Sequence, residues 1–460
     1  MAKEIFTHRA KIQASAKKVF DWHKQEGAFQ RLTPPWERAE VVSSSGGIKD
    51  GASVTIKLPL GPFSQPWVLE HMGYIEGQQF RDIQKKGPFK SYEHTHRVIK
   101  DGEDTCFLED VIEYELPAGK IGEMLGGYFV EARLKRLFNY RETVISQDLS
   151  LHDNFSSKPK TILVSGASGM IGSALLPLLT TAGHKVKKLV RHDSSKDDEI
   201  SWHPLQGTID HAELENLDAV VHLAGESIVG RWSADKKKRI RDSRVTGTKN
   251  LSDLLAKLDR KPEVLICSSG INYYGSNRGD ELLDENSSAG GGFLGEVCKE
   301  WEDATKSASD AGIRVVNIRT GMVLSPSGGA LRAMLIPFKA GTGGVVGSGQ
   351  QYISWIALDD VIYAIYFLLS QSAVSGALNL VSPEPVTNRE FTKTLGKVLH
   401  RPTILPLPEV VVKKLFGDLG QDTLLSSLKV QPAKLKENQF DFAYPELEKA
   451  LRHVLGVYAK

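Results

Sequence analysis

At 460 residues the chain exceeds what one ordinary hydrophobic core organises, so two or three domains are expected. Apolar residues make up 41% and charged residues 25%, as in water-soluble globular proteins, and a formal net charge of +2 offers no field for gripping nucleic acid. Three scattered cysteines, an opening MAKEIFTHRAKIQ without a signal-peptide core and a longest apolar run of VIYAIYFLL (361–369) exclude a disulfide framework, zinc-type spacing and a bilayer span, leaving a cytoplasmic protein without a membrane partner.

Residues 1–150 alternate polar and apolar positions in EIFTHRAKI, SVTIKLPL, PWVLEHMGYI, YEHTHRVIKD and TCFLEDVIEYEL. Gly, Pro or Asp bound these runs, as in half-buried antiparallel strands. Helices are predicted for SAKKVFDWHKQ, behind the N-cap Ser15, and for GKIGEMLGGYFVEARLKRLFNYRETVISQ, whose stripe runs through Leu125, Phe129, Ala132, Leu134, Leu137 and Phe138. A long closing helix over a curved sheet makes this an α+β module. The polar stretch SLHDNFSSKPKT reads as a linker, placed at 151–160.

From 161 to 401 the pattern changes. Compact apolar runs (KTILVSG, HKVKKLVR, DAVVHLAG, EVLICSSG, IRVVNIRTG) alternate with helix-like stretches, which predicts an α/β, doubly wound parallel sheet. Residues 402–460 are punctuated by proline and show no strand alternation, predicting a small helical C-terminal domain.

The stretch VSGASGMIG (164–172) places Gly166, Gly169 and Gly172 between the predicted strand TILV and the predicted helix MIGSALLPLLTTAG. Glycines there let the backbone approach a pyrophosphate, and the helix N-terminus adds free N–H donors and partial positive charge. Gly166, Ser168, Gly169, Met170, Ile171 and Gly172 are the expected dinucleotide contacts. The next strand ends in KKLVRHDSS, with Arg191 where an acidic residue would take the 2′-hydroxyl of NAD. An arginine pairs instead with a 2′-phosphate, which favours NADP(H) over NAD(H). Asp193 takes the acidic role if the register shifts by two. DAVVHLAG ends in Leu223, Ala224 and Gly225, a bare edge for a ribose or the nicotinamide half. Arg244, in the basic KKKRIRDSR, is a further candidate contact, while His222 reads as a satisfied core histidine.

SGASGMIG followed by DAVVHLAG resembles the extended short-chain dehydrogenase/reductases. GRWSADKKKRIRDSRVTGTKNL, SSGINYYG, FLGEVCKEWEDA, RTGMVLSPSGGAL, GSGQQYISWIALDD and QPAKLKENQFDFAYPELEKAL narrow the resemblance to their epimerase-like, cell-division-inhibitor-related branch, from about residue 160 to 457. The N-terminal VFDWHKQEGAFQRLTPPW and the helix through LKRLFNYR are similar to START-like helix-grip domains of the polyketide-cyclase type. The resemblances imply a helix-grip domain, a Rossmann-type NAD(P)-binding domain and a short helical domain. The first implies an apolar ligand between sheet and helix, with Trp22, Trp36, Trp67 and Phe129 as candidate lining.

Resemblance to the reductases also implies a Ser or Thr, a Tyr, and a Lys four residues after it, the Tyr exchanging a proton with substrate. Ser269 is the candidate serine, with Ser268 the alternative. The helix in GGFLGEVCKEWEDA (291–304) lacks the tyrosine. Leu294 or Phe293 stands at its position, and Cys298 or Val297 at that of the lysine. Lys299 is about 100° further around the helix. Tyr273 and Tyr274 are the candidate replacements. Arg319, Gly321 and Val323 are expected beside the nicotinamide, with Val323 a cofactor contact. Gln350, Ser354, Trp355 and Asp359 fall in the region expected to close the substrate site, and the glycines of 339–349 form either a flap or a rigid set of turns.

The implied activity is that of an NADP(H)-dependent oxidoreductase or nucleoside-diphosphate-sugar-epimerase-like enzyme on a small sugar-like or carbonyl-bearing substrate. A non-catalytic NADP(H)-binding sensor and a carrier of an apolar ligand are the competing functions.

Overall fold

The computed structural model describes residues 3–458 apart from 38, 46, 61, 62, 118, 156, 157 and 210. One compact unit takes in residues 1–156, and a second the bulk of 157–455.

The first unit runs β1 (Glu4–Ile12), α1 (Ala16–Lys24), α2 (Ala28–Arg31), β2 (Glu40–Ser45), β3 (Ser53–Leu60), β4 (Phe63–Ile75), β5 (Gln79–Lys86), β6 (Ser91–Lys100), β7 (Cys106–Glu115) and α3 (Gly119–Asn154). Its strands form one sheet in the order β1-β7-β6-β5-β4-β3-β2, antiparallel throughout. The alternation in the sequence is the cause: Cys106, Leu108, Asp110, Ile112 and Tyr114 of β7 are all buried, while the residues between them are not. α3 contributes to that buried side, Phe138 packing with Phe6 and Ile112, and Ile145 and Leu149 with Ala10 and Ile12. Ser15 caps α1 by accepting from the Lys18 N–H.

Two expectations for this unit are corrected. α3 continues to Asn154 because Leu149 and Leu151 extend its buried stripe, so the linker expected at 151–160 is shorter; positions 156 and 157 lie outside the described residues. The aromatic lining set does not converge. Trp22 and Trp67 belong to different core clusters, and Phe129 is 73% exposed. Ala132 is exposed too, and the Leu125 side chain lies outside the described residues.

The second unit opens with β8 (Thr161–Ser165), α4 (Met170–Thr181), β9 (Lys185–Val190), β10 (Glu199–Ser201), α5 (His211–Leu214), β11 (Ala219–His222), α6 (Ala234–Ala256) and β12 (Val264–Gly270). β13 (Asn277–Leu283), α7 (Phe293–Asp303), α8 (Lys306–Asp310), β14 (Arg314–Thr320), β15 (Met322–Leu324), α9 (Gly329–Lys339), β16 (Tyr352–Ile353) and β17 (Trp355–Ala357) follow. It ends with α10 (Leu358–Ser370), β18 (Gly376–Leu380), β19 (Val386–Thr387), α11 (Asn388–Leu399), α12 (Glu409–Leu419), β20 (Ser427–Val430), α13 (Ala433–Glu437) and α14 (Leu447–Leu455). The central sheet is parallel in the order β10-β9-β8-β11-β12-β14-β18. Its inner strands are buried residue after residue (Ile162, Leu163 and Val164; Val220 and Val221), which explains their unbroken apolar text. The chain leaves β8 for β9 on one side and returns to β11 on the other, creating a topological switch point at the carboxyl ends of β8 and β11.

The C-terminal stretch is not purely helical. β20 pairs in parallel with β13, and Leu428 and Val430 share a buried cluster with Tyr274 and Leu283. Four residues are too few for an alternation to register in sequence. Among the described residues, no helix is long and apolar enough to cross a membrane.

Candidate functional site

The glycine loop lies at the switch point. Gly166 has φ +69°, and a Cβ there would lie 2.8 Å from the carbonyl carbon of Leu223, so only glycine lets the loop press against the end of β11. A Cβ on Gly172 would lie 2.3 Å from the Gly166 oxygen, so the second close approach sets α4 directly behind the loop. Gly169 donates its N–H to the Gly166 carbonyl at 2.9 Å. Ser168 and Gly169 are exposed, Met170 and Ile171 half-buried. Bare backbone ahead of a helix N-terminus fits a pyrophosphate.

Beneath the loop, the Ser165 hydroxyl accepts from the Leu223 and Ala224 N–H groups at 3.1 and 3.2 Å and lies 2.6 Å from His222 Nδ1. Its own proton therefore goes to Nδ1, which leaves Nε2–H to donate to Thr248 Oγ1 at 3.0 Å. Trp301 Nε1 also donates to Thr248, at 2.8 Å. Burial pushes His222 down to about 4. It is a neutral core histidine that holds the strand ends on which the loop rests.

Arg191 is exposed one residue past β9, at the carboxyl end of the sheet, and Asp193 is exposed two residues on. Arg244 lies against the edge that ends in Gly225. Its Nη1 donates to the Glu226 and Ile240 carbonyls at 2.9 and 3.2 Å, and its guanidinium carbon sits 5.0 Å from the Trp301 ring centre. A Cβ on Gly225 would come within 3.2 Å of it. Part of the bare edge after Leu223 and Ala224 is thus taken up by Arg244, which braces the loop behind β11.

Ser269 lies at the end of β12, 6% exposed, and its hydroxyl donates to Glu302 Oε1 at 2.7 Å. Glu302 is gripped by Arg319, whose Nε and Nη2 each donate at 2.8 Å. Arg319 Nη1 donates to the Tyr274 hydroxyl at 2.9 Å, and its guanidinium carbon lies 3.4 Å from the Tyr273 ring centre. The Tyr274 hydroxyl lies 2.7 Å from Asn379 Oδ1 and 2.8 Å from the Asp284 carbonyl. Burial pushes it up to about 12, Arg319 and Asn379 acting in the opposite sense. The ring is fully buried. Tyr274 is therefore a strut, contrary to the expectation of a proton-exchanging phenol, because it faces no open space. Tyr273 is half-buried against Arg319, and Ser268 is half-buried beside Ser269.

α7 carries the residues that stand at the positions of the missing pair. Leu294, Val297 and Cys298 are buried, Phe293 stacks edge-on with Trp232 at 5.3 Å, and Lys299 is exposed. Burial pushes the Cys298 thiol up to about 11, so it is no nucleophile. Sequence reading missed Glu302 and Asn379. A signal for Glu302 existed: it falls four residues after Cys298, beside the buried stripe, where a carboxylate requires a cation or donors.

Val323 is 8% exposed on β15 and pairs with Ile356. The other residues expected to close the substrate site are largely structural. The Ser354 hydroxyl donates to the Leu428 carbonyl and accepts from the Val430 N–H, Trp355 is fully buried, and Asp359 pairs with His453 at 2.9 Å. Only Gln350 of that group is exposed. The glycine-rich 339–349 run is fastened, with the Val346 N–H on Asn388 Oδ1 and the Gly347 N–H on the Leu407 carbonyl, both at 2.9 Å. It is a set of pinned turns.

Residues 162–380 match the NAD dependent epimerase/dehydratase family, and residues 407–454 the domain of unknown function DUF1731. An epimerase family protein of Mycobacterium bovis is 43% identical over 291 residues, covering 63% of this chain and 96% of that protein. The chain belongs to the epimerase family. The human epimerase family protein SDR39U1 is 35% identical over 298 residues, covering 64% of this chain and 99% of its own. A solved structure of its isoform 2, with NADPH, has a TM-score of 0.60 at 34% identity, over 64% of this chain and 99% of that one. The structure of the nucleoside-diphosphate sugar epimerase of Corynebacterium glutamicum has a TM-score of 0.81 and 32% identity over 98% of this chain and 90% of that one. That epimerase-family structure thus aligns with both units, whereas the Mycobacterium bovis and human proteins align with about two thirds of this chain.

Proposed function

We propose that this epimerase-family chain binds NADP(H) at the β8–α4 loop and acts as an oxidoreductase or nucleoside-diphosphate-sugar-epimerase-like enzyme on a small carbonyl- or sugar-type substrate. The observation that carries the cofactor reading is the glycine loop pressed onto β11 at the switch point, with Arg191 exposed at the end of β9. Gly166, Ser168, Gly169, Met170 and Ile171 would hold the pyrophosphate and Arg191 the 2′-phosphate, while Val323 would flank the nicotinamide. The cofactor supplies hydride chemistry when bound. NADPH in the human SDR39U1 structure supports the choice of cofactor.

A fluorescence titration with NADPH and NADH side by side tests this. NADPH is expected to bind more tightly, and Arg191→Ala to weaken NADPH by about tenfold or more while sparing NADH, as for loss of a charge-assisted pair. Unchanged preference in Arg191→Ala removes the 2′-phosphate assignment.

The apolar residues of α7 and the engaged Ser269 favour a second reading, a non-catalytic NADP(H) sensor. Hydride exchange with any carbonyl substrate separates the two. The first unit, with its antiparallel sheet and long closing helix, is proposed to be a START-like helix-grip domain. Its role as carrier of an apolar ligand has less support, since the aromatic side chains expected to line a cavity lie apart. Apolar material extracted from the purified chain would revive it.

A further inference from the structure

A second cluster of ionisable side chains lies in the first unit, apart from the proposed cofactor site. His94 and His96, two apart on β6, project from one face of the sheet. The strand register sets Asp82 of β5 opposite His94, His71 of β4 opposite Asp82, and Asp110 of β7 opposite His96. Phe138 packs edge-on against His94 at 5.6 Å, and Phe80 stacks on His96 at 4.2 Å. His94, His96 and Asp110 are buried, and Asp82 nearly so.

Each imidazole uses one nitrogen on the same carboxylate oxygen: His94 Nε2 lies 2.8 Å and His96 Nδ1 2.7 Å from Asp110 Oδ1. Their other nitrogens face Asp82, His96 Nε2 at 3.2 Å and His94 Nδ1 at 4.0 Å from Oδ2. One ligand-type atom from each of Asp82, His94 and His96 falls within 4.8 Å of the others. The neighbouring His71 Nδ1 pairs with the other Asp82 oxygen, Oδ1, at 2.6 Å.

We propose that Asp82, His94 and His96 form a binding site for a divalent transition metal of the zinc type, with Asp110 as the carboxylate that orients both imidazoles. Two imidazoles and one carboxylate suit zinc and its first-row neighbours, whereas magnesium and calcium call for oxygen donors. Ligand atoms about 2.1 Å from a tetrahedral ion are roughly 3.4 Å from one another, and the 3.2 and 4.0 Å separations bracket that value. A metal-bound histidine usually gives its other ring nitrogen to a carboxylate, and Asp110 occupies that position for both rings. His71 holds the far oxygen of Asp82 and so fixes the orientation of that carboxylate.

The test uses the full chain, stripped with a chelator and titrated with Co²⁺ and then Zn²⁺, with metal content read by mass spectrometry. The expected result is one equivalent per chain, with visible ligand-field bands from Co²⁺ that Zn²⁺ abolishes. Asp82→Asn and His94→Gln, folded by circular dichroism, should lose this binding. Asp110→Asn keeps the three ligands and should weaken affinity by about 10–100-fold. No stoichiometric binding by the native chain, or equal binding by both ligand variants, overturns the proposal, and a metal-free network of imidazoles and carboxylates is then the state of the cluster. If the ligand variants do not fold, X-ray absorption on the Co²⁺-loaded native chain decides. Two imidazoles in the shell support the site, and a shell without imidazole overturns it.

Discussion

Arg319 holds together the buried network at the ends of β12, β14 and β18, and its partners define what single substitutions should do. Tyr274→Phe removes the hydroxyl shared with Arg319, Asn379 and Asp284. It should cost about 1–3 kcal/mol of stability in urea unfolding while leaving NADPH affinity unchanged. A Tyr274→Phe protein of native stability that has lost turnover would show that the phenol does chemistry after all. Glu302→Gln strands a buried guanidinium, and a larger loss of about 3 kcal/mol is expected. His222 gives a pH signature. Burial lowers its pKa from 6.5 to about 4, so between those values the unfolded chain takes up a proton that the folded chain refuses. Stability therefore falls as pH drops through that window, by up to about 3 kcal/mol from this residue. The difference between the native chain and His222→Asn in urea midpoints across the window isolates it; parallel curves would refute the assignment.

Among the elements, the β8–α4 turn was legible because its constraints leave a compact glycine spacing. Gly166 and Gly172 are fixed by contacts with Leu223 and with the loop itself, and their spacing records this. Gly172→Ala should push α4 off the loop and abolish NADPH binding while circular dichroism stays near native; intact binding would mean that the close approach is dispensable. What the sequence concealed was set by distant partners. Arg244 has the charge of a cofactor contact, but Glu226 and Trp301 decide where it goes. Tyr274 stands where a replacement phenol could serve, yet Asn379 and the residues around β20 bury it. α3 overran the expected linker because two leucines inside polar text were enough to continue its buried stripe.

At the scale of the molecule, composition and texture indicated more than one domain and a change of architecture near residue 160; the chain has two compact units, one with an antiparallel sheet and one with a parallel central sheet. Each unit has its own core and, on the readings proposed, its own ligand. Added NADPH is expected to slow amide exchange in β8, α4 and β11, as for any ligand that binds only the folded state. Protection confined to residues 1–156 would move the cofactor to the other unit.

The pairing of β20 with β13 joins segments far apart in the chain. During synthesis, the surroundings of Tyr274 stay incomplete until the ribosome has released Ser427–Val430, long after the glycine loop has emerged. Assembly of this part of the protein thus waits on Ser427–Val430, and a nascent chain stalled before that strand would expose an apolar surface around Tyr274 and Leu283 to chaperones and proteases.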